Sequence, residues 1–80
     1  MLDTIHSWDR PITIRIGDKD IAVETPMEAR HILLIDWPGE RTDKHKIASQ
    51  LCLDAMEGAN GGPAWLAFME AALEAGIFVE

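Results

Sequence analysis

Residues 11–28, "PITIRIGDKDIAVETPME", decide the fold of this chain. Ile12, Ile14 and Ile16 alternate with Thr13 and Arg15, and Ile21 and Val23 resume the alternation after "GDKD". A period of two is the mark of a strand with one face buried. Closed as a hairpin by a four-residue turn at 17–20, the segment pairs Ile16 with Ile21 and Ile14 with Val23, all on one face. "TPME" then starts a helix. Thr25 can cap it, Pro26 suits the first helical position, and Glu28 completes a capping box. Paired strands that run straight into helices indicate an α+β domain.

The first helix is expected to reach about Trp37, where Pro38 and Gly39 end it. At about 100° per residue, Ala29, Ile32, Leu33 and Trp37 share one side, and Met27, Leu34 and Ile35 lie across from them. Such a helix needs cover on more than one side. A second helix is expected from Thr42 or Asp43 to Gly58. Ile47, Ala48, Leu51, Cys52, Ala55 and Met56 form its apolar stripe. "GANGGP" (58–63) reads as a link, with Pro63 opening the third helix and Gly76 closing it. In that helix the only charges are Glu70 and Glu74, on one strip. "IFVE" (77–80) is expected to add a short third strand beside the hairpin. Residues 1–10 form a lead-in segment tied down by Trp8, and 11–80 form a single domain. The expected architecture is a short antiparallel β-hairpin, widened by a C-terminal strand and packed against three α-helices in ββαααβ order.

Fourteen acidic residues stand against seven basic ones, a formal charge of −7 across 80 residues. The excess is spread along the chain and no segment is strongly basic, so nucleic acid and anionic membranes are not expected partners. The longest apolar run, "ILLI", is far short of the roughly 20 residues needed to span a bilayer. Cys52 is the only cysteine, so no disulfide can form within one chain. With nothing resembling a secretory signal, a cytoplasmic location is expected.

His31 and His45 bracket two aspartates in "HILLIDWPGERTDKH", which raises the question of a metal. Zinc sites use three or four ligands, usually with short paired spacing. Neither histidine has a second His or Cys three or four positions away, so no metal is expected and both read as rim residues beside a helix corner. His45 is a poor base for Cys52, since seven helical residues rise about 10.5 Å where proton transfer needs about 3 Å. A buried, inert thiol is the expectation. His45 and Ser49 lack an orienting carboxylate, and Glu70 and Glu74 occupy what looks like a solvated edge. No catalytic residue and no cofactor are therefore expected.

Two binding readings remain. Tryptophan at Trp8, Trp37 and Trp65 is by default core, with each indole N–H reaching a carbonyl at the edge. The functional alternative is an aromatic anchor for another chain. Leu34, Ile35, Trp37 and Trp8 thus form the candidate partner or dimer surface of a non-enzymatic interaction or regulatory module, expected to self-associate as a homodimer. The second reading is a small-molecule or anion site at the Gly-rich link 58–63 and the start of the last helix, using Gly61, Gly62 and Ala64. Against it, no Lys-Ser/Thr pair follows, and Pro63 removes one amide donor.

The stretches "EARHILLIDWP", "IASQLCLDAMEG" and "AFMEAALEAGIFV" resemble the domain-of-unknown-function family numbered 982, small alpha-proteobacterial proteins. The resemblance covers Pro11 to Val79. It rests on Pro11, Glu28-Ala29, Trp37-Pro38, Ala48, Cys52, Ala55, Gly58, Phe68, Ala71-Ala72 and Glu74-Ala75-Gly76-Ile77. A basic residue usual near Trp65 is missing here, which removes any charge-based role for that position. The resemblance implies an α+β layout and a bacterial cytoplasmic setting, and it carries no catalytic residue with it.

Overall fold

The computed structural model describes residues 8–79. Of the lead-in segment, residues 1–7 lie outside this range, as does Glu80 of the expected third strand. The chain runs β1 (Ile12–Ile16), β2 (Lys19–Val23), α1 (Pro26–His31), a π-helical turn (Ile32–Asp36), α2 (Asp43–Met56), α3 (Gly61–Ala75) and β3 (Phe78–Val79). The sheet is antiparallel in the order β2-β1-β3. This is the expected ββαααβ arrangement.

The hairpin register differs from the expected one by two residues. Ile12 pairs with Val23, Ile14 with Ile21 and Ile16 with Lys19, and the turn is the two-residue Gly17–Asp18. Gly17 takes φ 62, the left-handed backbone that tight hairpin turns use at their first central position. A shift by two preserves which side chains face the core, so alternation alone could not choose between the registers. Ile12, Ile14 and Val23 are buried, whereas Arg15 and Asp20 form an exposed ion pair at 2.7 Å. The pair lowers the Asp20 pKa, chiefly through the hydrogen bond from Arg15.

α1 starts as its sequence predicts. The Thr25 hydroxyl accepts the Glu28 N–H, and the Glu28 carboxylate accepts the N–H of Glu24, one residue before the cap. The helix does not stay α-helical to Trp37 but widens into the π turn over Ile32–Asp36. α3 opens at Gly61, two residues earlier than Pro63. The Asn60 side chain accepts the Gly62 N–H, which turns the end of the expected link into the first helical turn.

Small residues bring the helices close. Ala48 and Ala55 on α2 and Ala64, Ala71 and Ala72 on α3 are all buried, so these two helices pack with little between them. Phe68, Ile12, Ile14, Leu33, Val23 and Cys52 are the largest fully buried side chains. Trp8 joins this core, with its ring 6.0 Å from Phe68 and its backbone N–H on the Glu24 carbonyl. The indole N–H of Trp65 donates to the Arg10 carbonyl at 2.7 Å. Together they hold residues 8–10 against the body. Ile47, expected in the α2 stripe, is exposed instead.

Candidate functional site

The outer side of α1 and of the π turn that continues it is not covered by the other described residues. Met27, Leu34 and Ile35 are 63%, 37% and 66% exposed, and Met56 from the end of α2 is 40% exposed. These four line one shallow groove of about 230 Å³ together with Arg30 and His31. Trp37 is placed differently. It is half-buried, with its ring edge-on to His45 at 5.5 Å and to Phe68 at 6.1 Å. Of the four candidate partner residues, Leu34 and Ile35 therefore face outward, and Trp37 leans on the core. Trp8 is a correction: it is buried and unavailable as a surface anchor.

The end of α1 explains why His45 is not the rim residue its sequence position suggests. Pro38 has no N–H. In α-helical register residue 38 would serve the carbonyl of Leu34, and in π register that of Leu33. Both carbonyls are met by side chains from further along the chain. The His45 Nε2–H donates to Leu33 at 2.7 Å, and Arg41 donates to Leu34 at 2.8 Å. His45 is only 3% exposed, because the bond requires the ring to lie beneath the turn. Its other nitrogen, Nδ1, is buried and has no partner among the described residues. Basic and hydrogen-bond-donating groups at a helix C-terminus also suit its partial negative charge.

This geometry assembles a second groove, about 310 Å³, between the end of α1 and the start of α2. Arg30, Leu34, Arg41, His45, Lys46, Ser49 and Gln50 line it. No carboxylate is among them. The Gln50 side chain is tied to Asp54 at 3.0 Å, and the Arg30 Nε is buried without a partner among the described residues. Beneath it lies Cys52, wholly buried, its pKa pushed up to about 12 by burial and opposed only in part by the charge of Arg30. At neutral pH this thiol carries its proton and is not a nucleophile.

A third groove, about 510 Å³, opens at the start of α3, lined by Trp8, Asp9, Arg10, Asn60, Gly61, Gly62 and Trp65. The expected anion-site residues are reached here only in part. The Gly62 N–H is taken by Asn60, Ala64 is buried, and Asp9 sets a carboxylate in the wall. The Trp8 indole N–H is left without a partner. Among the described residues there is no cluster of His, Cys, Asp and Glu able to hold a metal, and no helix is long and apolar enough to cross a membrane. The acidic pair on α3 is solvent-facing, with Glu70 3.9 Å from Lys44 and Glu74 accepting the Thr42 hydroxyl.

A family profile described as "Protein of unknown function (DUF982)" matches residues 10–79. The chain belongs to the DUF982 family. No curated protein matches the chain, and no solved structure does. In this DUF982 domain the groups that gather in space are not the ones that stand out in sequence. Arg30, Arg41 and Lys46 are scattered single cations in the chain and reach one groove only because Pro38 turns α1 back toward α2. The one available signal was Pro38 near the helix end, where it removes one N–H that a last-turn carbonyl would use, followed within seven residues by Arg41 and His45.

Proposed function

We propose that the protein is a non-enzymatic interaction module that self-associates as a homodimer through the outer side of α1. The observation that supports this is the groove of Met27, Leu34, Ile35 and Met56, four large apolar side chains left in water on one face. Burying apolar surface yields about 25 cal/mol per Å², and clustered exposed apolar groups are characteristic of contact surfaces. The polar groups lining the groove are Arg30 and His31, with no carboxylate, in a chain of net charge −7. Two copies meeting there bring no groove carboxylates together. A two-fold contact would place the same face of α1 on both sides. The alternative at Gly61, Gly62 and Ala64 has less support, since its central amide is capped and a carboxylate shares its wall.

The test is sedimentation equilibrium on the full chain and on Ile35→Asp. A two-chain mass at high micromolar concentration that falls to one chain in the variant is the expected result. A one-chain mass for the unaltered protein would overturn the proposal.

A further inference from the structure

We propose that the groove between the end of α1 and the first turns of α2 binds a phosphate-type oxyanion, either free or carried as a monoester on a small molecule. Three of the chain's seven basic residues, Arg30, Arg41 and Lys46, meet there, joined by the Ser49 hydroxyl and the Gln50 amide. The two ion pairs among the described residues, Arg15–Asp20 and Lys44–Glu70, involve none of the three cations. A chain with twice as many acids as bases would, by chance, surround such a cluster with carboxylates. None lines this groove. Gathering three positive charges without counter-charge is unfavourable unless an anion completes the site.

The unsatisfied atoms specify the anion further. Arg30 Nε is a buried donor lacking an acceptor, and an oxyanion supplies one. His45 needs the opposite. Its Nε2–H is committed to Leu33, so in the neutral ring Nδ1 carries a lone pair and requires a donor. Phosphate supplies both, because the second pKa, about 6 in a monoester and higher in the free anion, leaves part of it carrying a P–OH near neutral pH. Sulfate, fully deprotonated there, offers acceptors only. Both orphan atoms are covered, so the ligand reaches them after a small side-chain rotation. The groove, about 310 Å³, is larger than phosphate alone, and Leu34 gives an apolar contact for the body of an ester. This site does not depend on dimer formation, although Arg30 and Leu34 border both grooves.

The experiment is a titration of the ¹⁵N-labelled full chain with inorganic phosphate, glycerol 3-phosphate and sulfate in turn, at constant ionic strength. Saturable amide shifts centred on residues 30, 34, 41, 45, 46, 49 and 50 are expected, with phosphate binding several-fold tighter than sulfate. Lys46→Gln, at an exposed position, should weaken phosphate by about tenfold, the worth of one charge-assisted hydrogen bond, with an unchanged circular dichroism spectrum. Tighter binding of glycerol 3-phosphate assigns an ester, and equal binding assigns the free anion. The proposal is overturned by shifts that do not saturate, by shifts centred on residues 58–65, by equal response to sulfate, or by an unaffected Lys46→Gln variant.

Discussion

α1 and α3 end in opposite ways. At the end of α3, Gly76 takes φ 76, its N–H meets the Leu73 carbonyl, and the N–H of Ile77 meets that of Ala72. This is a Schellman closure made within six consecutive residues. It delivers Ile77, whose carbonyl accepts the Arg15 N–H, into position for β3 to pair with β1. At the end of the π turn that follows α1, Pro38 withholds one backbone N–H and the chain leaves the helix, and His45 and Arg41 supply donors to Leu33 and Leu34 from across a corner. The first ending is complete locally. The second exists only once α2 has docked, and docking is what buries an imidazole and draws three cations together. A helix end closed from a distance couples the fold to a site, whereas a locally closed end does not.

The sharpest test of this contrast is His45→Ala. It leaves the buried Leu33 carbonyl unsatisfied and removes the ring packed against Trp37, and should cost about 2–4 kcal/mol in urea unfolding. For a domain whose whole stability is expected to be about 4–12 kcal/mol by the per-residue rule, that is a large share. A loss smaller than that of Gly76→Ala would break the comparison. The second test concerns Cys52, which docking of α1 on α2 keeps from water. Its pKa is raised in the folded state, so between the two pKa values the native form keeps a proton that the unfolded chain has already released. Its contribution is therefore full below pH 9 and lost as the pH rises toward about 12. The stability of the unaltered protein should fall faster than that of Cys52→Ala in this window, by up to about 1.4 kcal/mol per pH unit. Parallel slopes would mean that the thiol is hydrated.

Gly76→Ala should cost about 1–2 kcal/mol, the penalty for a side chain in left-handed backbone. Because nothing crowds a Cβ at that position, the loss should be one of strain alone, without displacement of neighbouring side chains. Thermal melting measures its size, and amide spectra should show changes confined to the end of α3 and β3. Arg41→Gln should have the smallest effect, under about 1 kcal/mol, because Arg41 is exposed and water can replace an exposed donor at the Leu34 carbonyl. An Arg41 loss equal to that of His45 would show that exposure does not separate the two remote caps.

Much of the fold was legible before any coordinates, for reasons that differ by element. Thr25 and Gly76 signalled their helix ends because a cap is a contact between near neighbours. The hairpin was legible as a hairpin, but its register was not, since Ile14 faces the core whether it pairs with Ile21 or Val23. Gly17, able to adopt a positive φ, settled the shorter turn. Asn60 moved the start of α3 ahead of Pro63 because an Asn side chain can cap a first turn made of two glycines. At the candidate sites, the outward position of Leu34 and Ile35 agrees with the broad apolar girth of α1. The burial of Trp8 agrees with the default reading of its large ring, whereas the burial of His45 and the meeting of Arg30, Arg41 and Lys46 had no counterpart in any sequence period.

By itself the sequence determined the element order, the α+β class, the local caps and the family, because each depends on residues within a few positions of one another or on their linear order. Only the tertiary structure decided that the Leu33 and Leu34 carbonyls before Pro38 are served by His45 and Arg41. It alone brought three separated cations to one groove clear of carboxylates. Those outcomes depend on how α1 and α2 pack. A side chain's environment there is set by neighbours that are distant along the chain, and no periodicity records them.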